Sequence, residues 1–336
     1  MNSQPDSPQS EPAGNPLVQH LIAGAILVAG AVLFSTKAIM VKLAMRYDVD
    51  AITLLLIRLV FALPFFVAVL VWTKVVRKRT ERLEHSARSS ASDSTAGTER
   101  LGRLRDHLPQ IFLLGFIGYY LASYFDFVGL SYITASLERV ILYSYPTIVL
   151  LITAIVFKKK ISIHQVIAVA LCYAGIFVAV WFGQSGEQNE DILLGSCLIF
   201  LSAVTYAIYL VGSGQLIPQL GVWVFTSAAM IVSALCVTAH FVIARPPVGL
   251  FDHAWQVYAY GLAMAFFATV IPSFLISEGI KRIGASNAAI IGGVGPVSTI
   301  ILASIFLGEQ FTTPQMIGTV MVIAGVIYIS VNMKTE

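Results

Sequence analysis

Six ionisable residues interrupt otherwise apolar runs in the first half of the chain: Lys37, Lys42, Arg58, Asp126 and the adjacent pair Glu138 and Arg139. The second half has only Glu278 in a comparable setting. Charge inside an apolar run is costly in a bilayer, so such residues are functional candidates by default. Two chemistries are open to this set. As ion pairs they would pin helices together: Glu138 with Arg58 or a lysine, and Asp126 with Arg139. Glu138 and Arg139 themselves lie about 100° apart on a helix and do not naturally pair. Alternatively, the positive surplus faces a cavity and attracts a carboxylate or phosphate. Lys37 and Arg58 are the candidates for substrate binding or gating. Lys42 lies near a span end and could snorkel to the interface. Asp126 and Glu138 are also the groups that could carry a coupling proton.

Other chemistries find no support. No nucleophile is paired with a base, and the histidines fall at or near the ends of apolar runs without clustering. Cys172, Cys197 and Cys236 lie inside apolar runs, so neither a disulfide framework nor a metal site is expected. The expectation is therefore no enzyme, no metal, no cofactor and no nucleic-acid partner.

The elements that must position these residues are membrane helices. Hydrophobic residues make up 57% and charged residues 12% of the 336 residues, and the mean hydropathy is +0.82. A soluble domain carries about 25% charge. Runs of some 20 apolar residues, each long enough to cross a bilayer, predict ten spans. They lie near 18–45, 51–73, 108–130, 133–157, 163–183, 192–214, 221–244, 254–278, 285–307 and 314–333. No run alternates as a barrel strand would.

Charge asymmetry sets the expected orientation. With the N-terminus cytoplasmic, the inner loops take the basic clusters at 74–79, 100–105, 158–160 and 281–282. The outer loops take Asp48, Asp50, Glu187, Glu190, Asp191, Asp252 and Glu309, with only Arg46 and Arg245 as bases. An even span count then places both termini inside, in a multi-pass protein of a bacterial inner or cell membrane. Residues 1–17 read as a disordered cytoplasmic tail, and 75–107 as a long basic cytoplasmic loop, either solvated or lipid-binding.

The chain repeats itself. Aligning Pro146 with Pro296 also pairs Ser123 with Ser273, Gly129 with Gly279, Ser136 with Ser286, Gln165 with Gln315 and Gly175 with Gly325, without a gap. Upstream, "AGAILVAGAV" matches "LGSCLIFLSAV" at an offset near 171, the difference being absorbed by the 75–107 loop. The copies, 18–183 and 192–333, hold five spans each, and an odd number inverts the second relative to the first. Inverted repeats are a mark of secondary transporters with a midplane site between the halves.

The segment "ASLERVILYSYP" (135–146) shows where the copies differ. Its counterpart is "ASNAAIIGGVGP" (285–296). Glu138, Leu142 and Tyr145 follow helical spacing, opposite Ala288, Gly292 and Gly295 in the second copy. Tyr143 and Tyr145, with Tyr119, Tyr120 and Tyr124, could line an amphipathic cavity or pack in a core. Gly292 and Gly295 either admit a solute or let helices approach closely. Pro146 and Pro296 are matched hinge candidates.

These motifs carry a resemblance. "FSTKAIMVKLA" (34–44), "LLIRLVFALPF" (55–65), "GLSYITASLERVILYSYP" (129–146) and the stretch from Ser286 to Val326 resemble the EamA family of the drug/metabolite transporter superfamily. The resemblance implies an all-α integral membrane fold of ten transmembrane helices as two inverted five-helix repeats. It implies transport of a small amino-acid-like, anionic or zwitterionic metabolite by alternating access, in the direction of efflux. A passive facilitator or channel, or an exchanger of nucleotide sugars or phosphorylated metabolites, are the alternatives.

Overall fold

A computed structural model describes residues 16–87, 106–156, 158, 163–182, 190–244, 250–292 and 294–332. The tail at 1–15 and the middle of the basic loop, 88–105, lie outside the described residues. All regular structure in the described residues is helical. We number the helices α1 (Pro16–Met45), α2 (Ala51–Ala87), α3 (Leu108–Tyr132), α4 (Ala135–Val156), α5 (Ile163–Trp181), α6 (Glu190–Leu220), α7 (Val222–Ala244), α8 (Trp255–Ala285), α9 (Asn287–Leu307) and α10 (Thr313–Asn332). Eight are long and apolar enough to cross a membrane; α5 and α10 contain shorter apolar stretches, Val166–Trp181 and Thr313–Tyr328.

Local chemistry sets several ends. Asp50 caps α2, its Oδ2 accepting from the Ile52 and Thr53 N–H groups at 3.2 and 3.3 Å. Gln315 reaches back to the Thr312 N–H at 3.1 Å ahead of α10, half of a capping box. Gly308, at φ +67°, ends α9 in a left-handed conformation suited to a residue without a Cβ. The helix α2 continues to Ala87, past the expected start of the loop at 75. Its extension, "RKRTERLEHSA", is rich in helix formers and holds neither Gly nor Pro.

Among the described residues, four irregularities inside helices come in matched pairs, and Gly284, at φ +79°, adds a break one residue before the end of α8. A π-helical turn occupies Gly115–Leu121 in α3, and another occupies Phe266–Val270 in α8. The helix α4 breaks between Leu142 and Tyr145, and the corresponding break in α9 falls between Ile291 and Val294. Each pair falls at aligned positions of the two copies. The α4 break corrects the continuous face expected for Glu138, Leu142 and Tyr145. Pro146 lacks an N–H and its ring crowds the Leu142 carbonyl, so Tyr143 turns to ψ 6° and Tyr145 starts a new helix.

Close packing repeats in the same way. A methyl group on Gly175 of α5 would lie 2.6 Å from the Gly318 carbonyl oxygen of α10. One on Gly325 of α10 would lie 2.9 Å from the Ala168 carbonyl oxygen of α5. The alignment that turns Gly175 into Gly325 turns Ala168 into Gly318, so the two contacts exchange. Gly129 against Ile199 and Gly279 against Leu27 form a second such pair. Within a bilayer this close backbone approach, rather than a hydrophobic drive, holds helices together. Gly175→Leu is therefore expected to destabilise the protein by about 1–3 kcal/mol through overpacking. Melting in detergent reads this, with Gly24→Leu as the control, because nothing lies within 4 Å of a Cβ at Gly24.

Candidate functional site

Five of the six charges meet in one cluster. Lys37 from α1, Arg58 from α2, Asp126 from α3, and Glu138 and Arg139 from α4 are all buried, none more than 6% exposed. Lys37 Nζ stands 2.7 Å from Asp126 Oδ2 and 3.9 Å from Glu138 Oε1. Arg139 Nε lies 3.1 Å from Glu138 Oε2, and its Nη2 donates to the Phe34 carbonyl at 3.3 Å. Two expected pairings are thus corrected. Asp126 pairs with Lys37 rather than Arg139, because α1 brings Lys37 against it. Glu138 and Arg139 do pair, because the long arginine side chain folds back along its own helix while its tip reaches α1.

Arg58 differs from the rest. Its guanidinium donates to Ser123 Oγ at 3.0 Å and lies 4.8 Å above the Phe127 ring, a cation–π arrangement. Its Nε has no hydrogen-bond partner among the described residues. With both carboxylates ionised, three buried cations face two buried anions, so Arg58 is the surplus charge.

A cavity of about 80 Å³ opens beside this cluster. That volume holds on the order of five waters. Its walls come from both copies: Phe34 and Lys37 of α1, Tyr119 and Ser123 of α3, Arg139, Tyr143 and Tyr145 of α4, Ser202 and Tyr206 of α6, and Gly292, Gly295 and Pro296 of α9. Lys37, Tyr143, Tyr145, Gly292, Gly295, Arg139 and Pro296 are thus brought together. Arg58 reaches the wall only through Ser123, and Glu138 is fully buried behind Lys37 and Arg139. Pro146 sits on the second turn-half of α4, directly after the break.

The glycines have specific neighbours. The Tyr145 hydroxyl occupies the place of a side chain at Gly292 and donates to the Ala289 carbonyl at 3.2 Å. The Gly295 carbonyl accepts from Ser35 Oγ of α1 at 3.0 Å. Tyr119 exchanges a hydrogen bond with Tyr209 at 2.9 Å. Tyr120 and Tyr124 stand apart from the cavity, grouped with His240, whose Nδ1 is 3.0 Å from the Tyr120 hydroxyl.

Sequence reasoning missed Tyr206 and Glu309. The repeat carried a signal for the first: at the offset near 171, Phe34 falls within a residue of Tyr206, and both line the cavity. Glu309 carried none beyond its place in an outer loop. Its Oε1 accepts from the Ala135 N–H at 2.9 Å, and its Oε2 from the Ser136 N–H at 3.0 Å and the Ser136 hydroxyl at 2.7 Å. Thr134 Oγ1 takes the Leu137 N–H at 3.2 Å. The free donors of the first turn of α4 are thereby all engaged, two of them by the other half of the chain. Glu309 also borders an open groove with Lys42, Arg46 and Ser131.

The EamA-like transporter family model matches residues 21–181 and 193–331. The chain belongs to the EamA-like transporter family. Among this transporter's relatives is an uncharacterized transporter, YcbK, of Bacillus subtilis, 31% identical over 322 residues and covering 94% of each chain. Another, YyaM of the same organism, is 27% identical over 226 residues, 67% of this chain and 74% of that one. In fold, the transporter is similar to one solved crystal structure of a protein at TM-score 0.62 and 15% identity, over 94% of this chain and 98% of that one.

Proposed function

We propose that this EamA chain is a secondary transporter that moves a small anionic or zwitterionic solute by alternating access, in the direction of efflux. The observation that carries the reading is the cavity between the two copies, whose lining includes Lys37 and Arg139. Tyr119, Tyr145 and Tyr206 line it from near the middles of α3, α4 and α6, the depth at which transporters with internal repeats bind substrate, while Arg139 lies in the second turn of α4. The exchanged contacts Gly175–Gly318 and Gly325–Ala168, and the paired π turns, support two copies related by a pseudo-two-fold. A ten-span count is supported by the lengths of α5 and α10, 19 and 20 residues, which reach about 30 Å as helices. The loop-charge asymmetry supports cytoplasmic termini in the cell membrane.

In this reading Lys37 and Arg139 receive the solute's negative group, and Tyr143, Tyr145, Gly292 and Gly295 shape its pocket. Arg58 supports Ser123 from behind. Asp126 and Glu138 hold the cations in place and are the sites at which a coupling proton would load. Pro146 and Pro296 keep the half-helix breaks that let each half rearrange. Glu309 closes the outer side by joining α9 to the start of α4.

The test is counterflow in proteoliposomes, screened over amino acids, organic acids and phosphorylated metabolites, with and without a pH gradient. Saturable counterflow with trans-stimulation for one class is expected, accelerated by the gradient. Uptake that never saturates would instead support a passive channel. No movement of any class by verified folded protein would overturn the transport reading.

A further inference from the structure

Resting on that transport reading, we propose that the solute is a monoanion with one aromatic or similarly apolar ring and no ammonium group. Three observations converge on this. First, the charged residues among the described lining are Lys37 and Arg139, both cations. Second, the two acids near them are turned away and already engaged. Asp126 is 1% exposed and 2.7 Å from Lys37, and Glu138 is 0% exposed and 3.1 Å from Arg139. Neither is among the residues that line the space. Third, the rest of the lining is largely aromatic and aliphatic, with Tyr119, Tyr145, Tyr206 and Leu210 among it.

The polar atoms of that lining are partly spoken for. The Tyr119 hydroxyl is bonded to Tyr209, and the Ala289 carbonyl accepts from Tyr145. A carboxylate placed between Lys37 and Arg139 shares these cations with Asp126 and Glu138, which already pair them, and an arginine fork suits it well. An α-ammonium on the same molecule would stand within a few ångströms of those cations, in a space where charge is weakly screened. It would have to shed its water without a carboxylate to replace it. The aromatic part of the lining takes a ring edge-on or offset-stacked. Once its walls part to admit a ring, which the present volume of about 80 Å³ does not hold, the cavity selects an acid arm on a single ring and rejects the corresponding amino acid.

The experiment uses the full chain in proteoliposomes and three probes that share a phenyl ring and a two-carbon arm: 3-phenylpropionate, L-phenylalanine and 2-phenylethylamine. The expected result is saturable counterflow of 3-phenylpropionate, at least tenfold weaker exchange of L-phenylalanine, and none of 2-phenylethylamine. Exchange of L-phenylalanine equal to or above that of 3-phenylpropionate would overturn the proposal and leave the transport reading standing. So would preference for the amine. Movement of an aliphatic or phosphorylated solute from the wider screen, with none of the three probes moved, would overturn the ring assignment in the same way. If nothing in the wider screen moves, the transport reading itself falls and this inference with it.

Discussion

Lys37→Met is expected to abolish transport and to lower the stability of the folded protein by about 3–5 kcal/mol, the usual result of removing one partner from a buried ion pair. Lys37 is 4% exposed and is the ammonium between Asp126 and Glu138. Without it Asp126, 1% exposed, loses its close cation, while Glu138 keeps only Arg139. Melting of the purified protein in detergent reads the first effect, and counterflow reads the second. Because the single variant could fail to accumulate, a second variant separates the two roles. Lys37→Met combined with Asp126→Leu replaces the pair by apolar side chains, a change that is often neutral for stability. The double variant should regain its melting temperature and still fail to transport, since the cavity keeps one cation where it had two. Wild-type counterflow by either variant would remove Lys37 from the site.

The second large effect is expected at Glu309. Glu309→Ala removes three hydrogen bonds to the first turn of α4, all made by one carboxylate across the two halves of the chain. Charge-assisted bonds of this kind contribute about 1.5–3 kcal/mol each when buried, but these donors regain water when the contact opens. A net loss of about 2 kcal/mol is a reasonable magnitude, and it corresponds to roughly a thirtyfold shift in the open-to-closed ratio. The reading is direct. With Cys172, Cys197 and Cys236 replaced by serine, Ala31→Cys places a single thiol on the cavity wall. A membrane-impermeant maleimide added from the Glu309 side should label it about thirtyfold faster in the Glu309→Ala background. Glu309→Gln keeps one acceptor oxygen and should fall between. Equal labelling in all three proteins would mean that Glu309 closes nothing.

The helices and the internal repeat were legible because both rest on composition and spacing. Runs of apolar residues mark the helices, and the gapless alignment of Pro146 with Pro296 foretold that the interruptions of α4 and α9 would correspond. The cluster of ions was legible as a set, since each member stands out against its surroundings. Its wiring was not. Which acid meets which base depends on how each helix is rotated about its axis, and a one-dimensional pattern holds that information poorly. Asp126 could face α1 or α4 by sequence; packing turns it to Lys37. Arg139 defeats the rule that adjacent residues do not meet, because its side chain is long enough to bend back to Glu138 while reaching Phe34. Glu309 was invisible for a different reason. Its role exists only where two halves, 173 and 174 residues apart in the chain, come together.

The lopsided placement of charge has an electrical consequence. Lys37, Arg58 and Arg139 against Asp126 and Glu138 leave one formal positive charge in the centre of the molecule, and all of it belongs to the first copy. On the proposed reading, a bound monoanion cancels that charge as long as no proton loads at Asp126 or Glu138, and a loaded proton restores it. In the same reading the empty carrier keeps the unbalanced charge. A membrane potential of about 100 mV acts on a full unit charge with about 2.3 kcal/mol, so on the proposed reading the step sensitive to voltage reports whether the solute travels with a proton or without one.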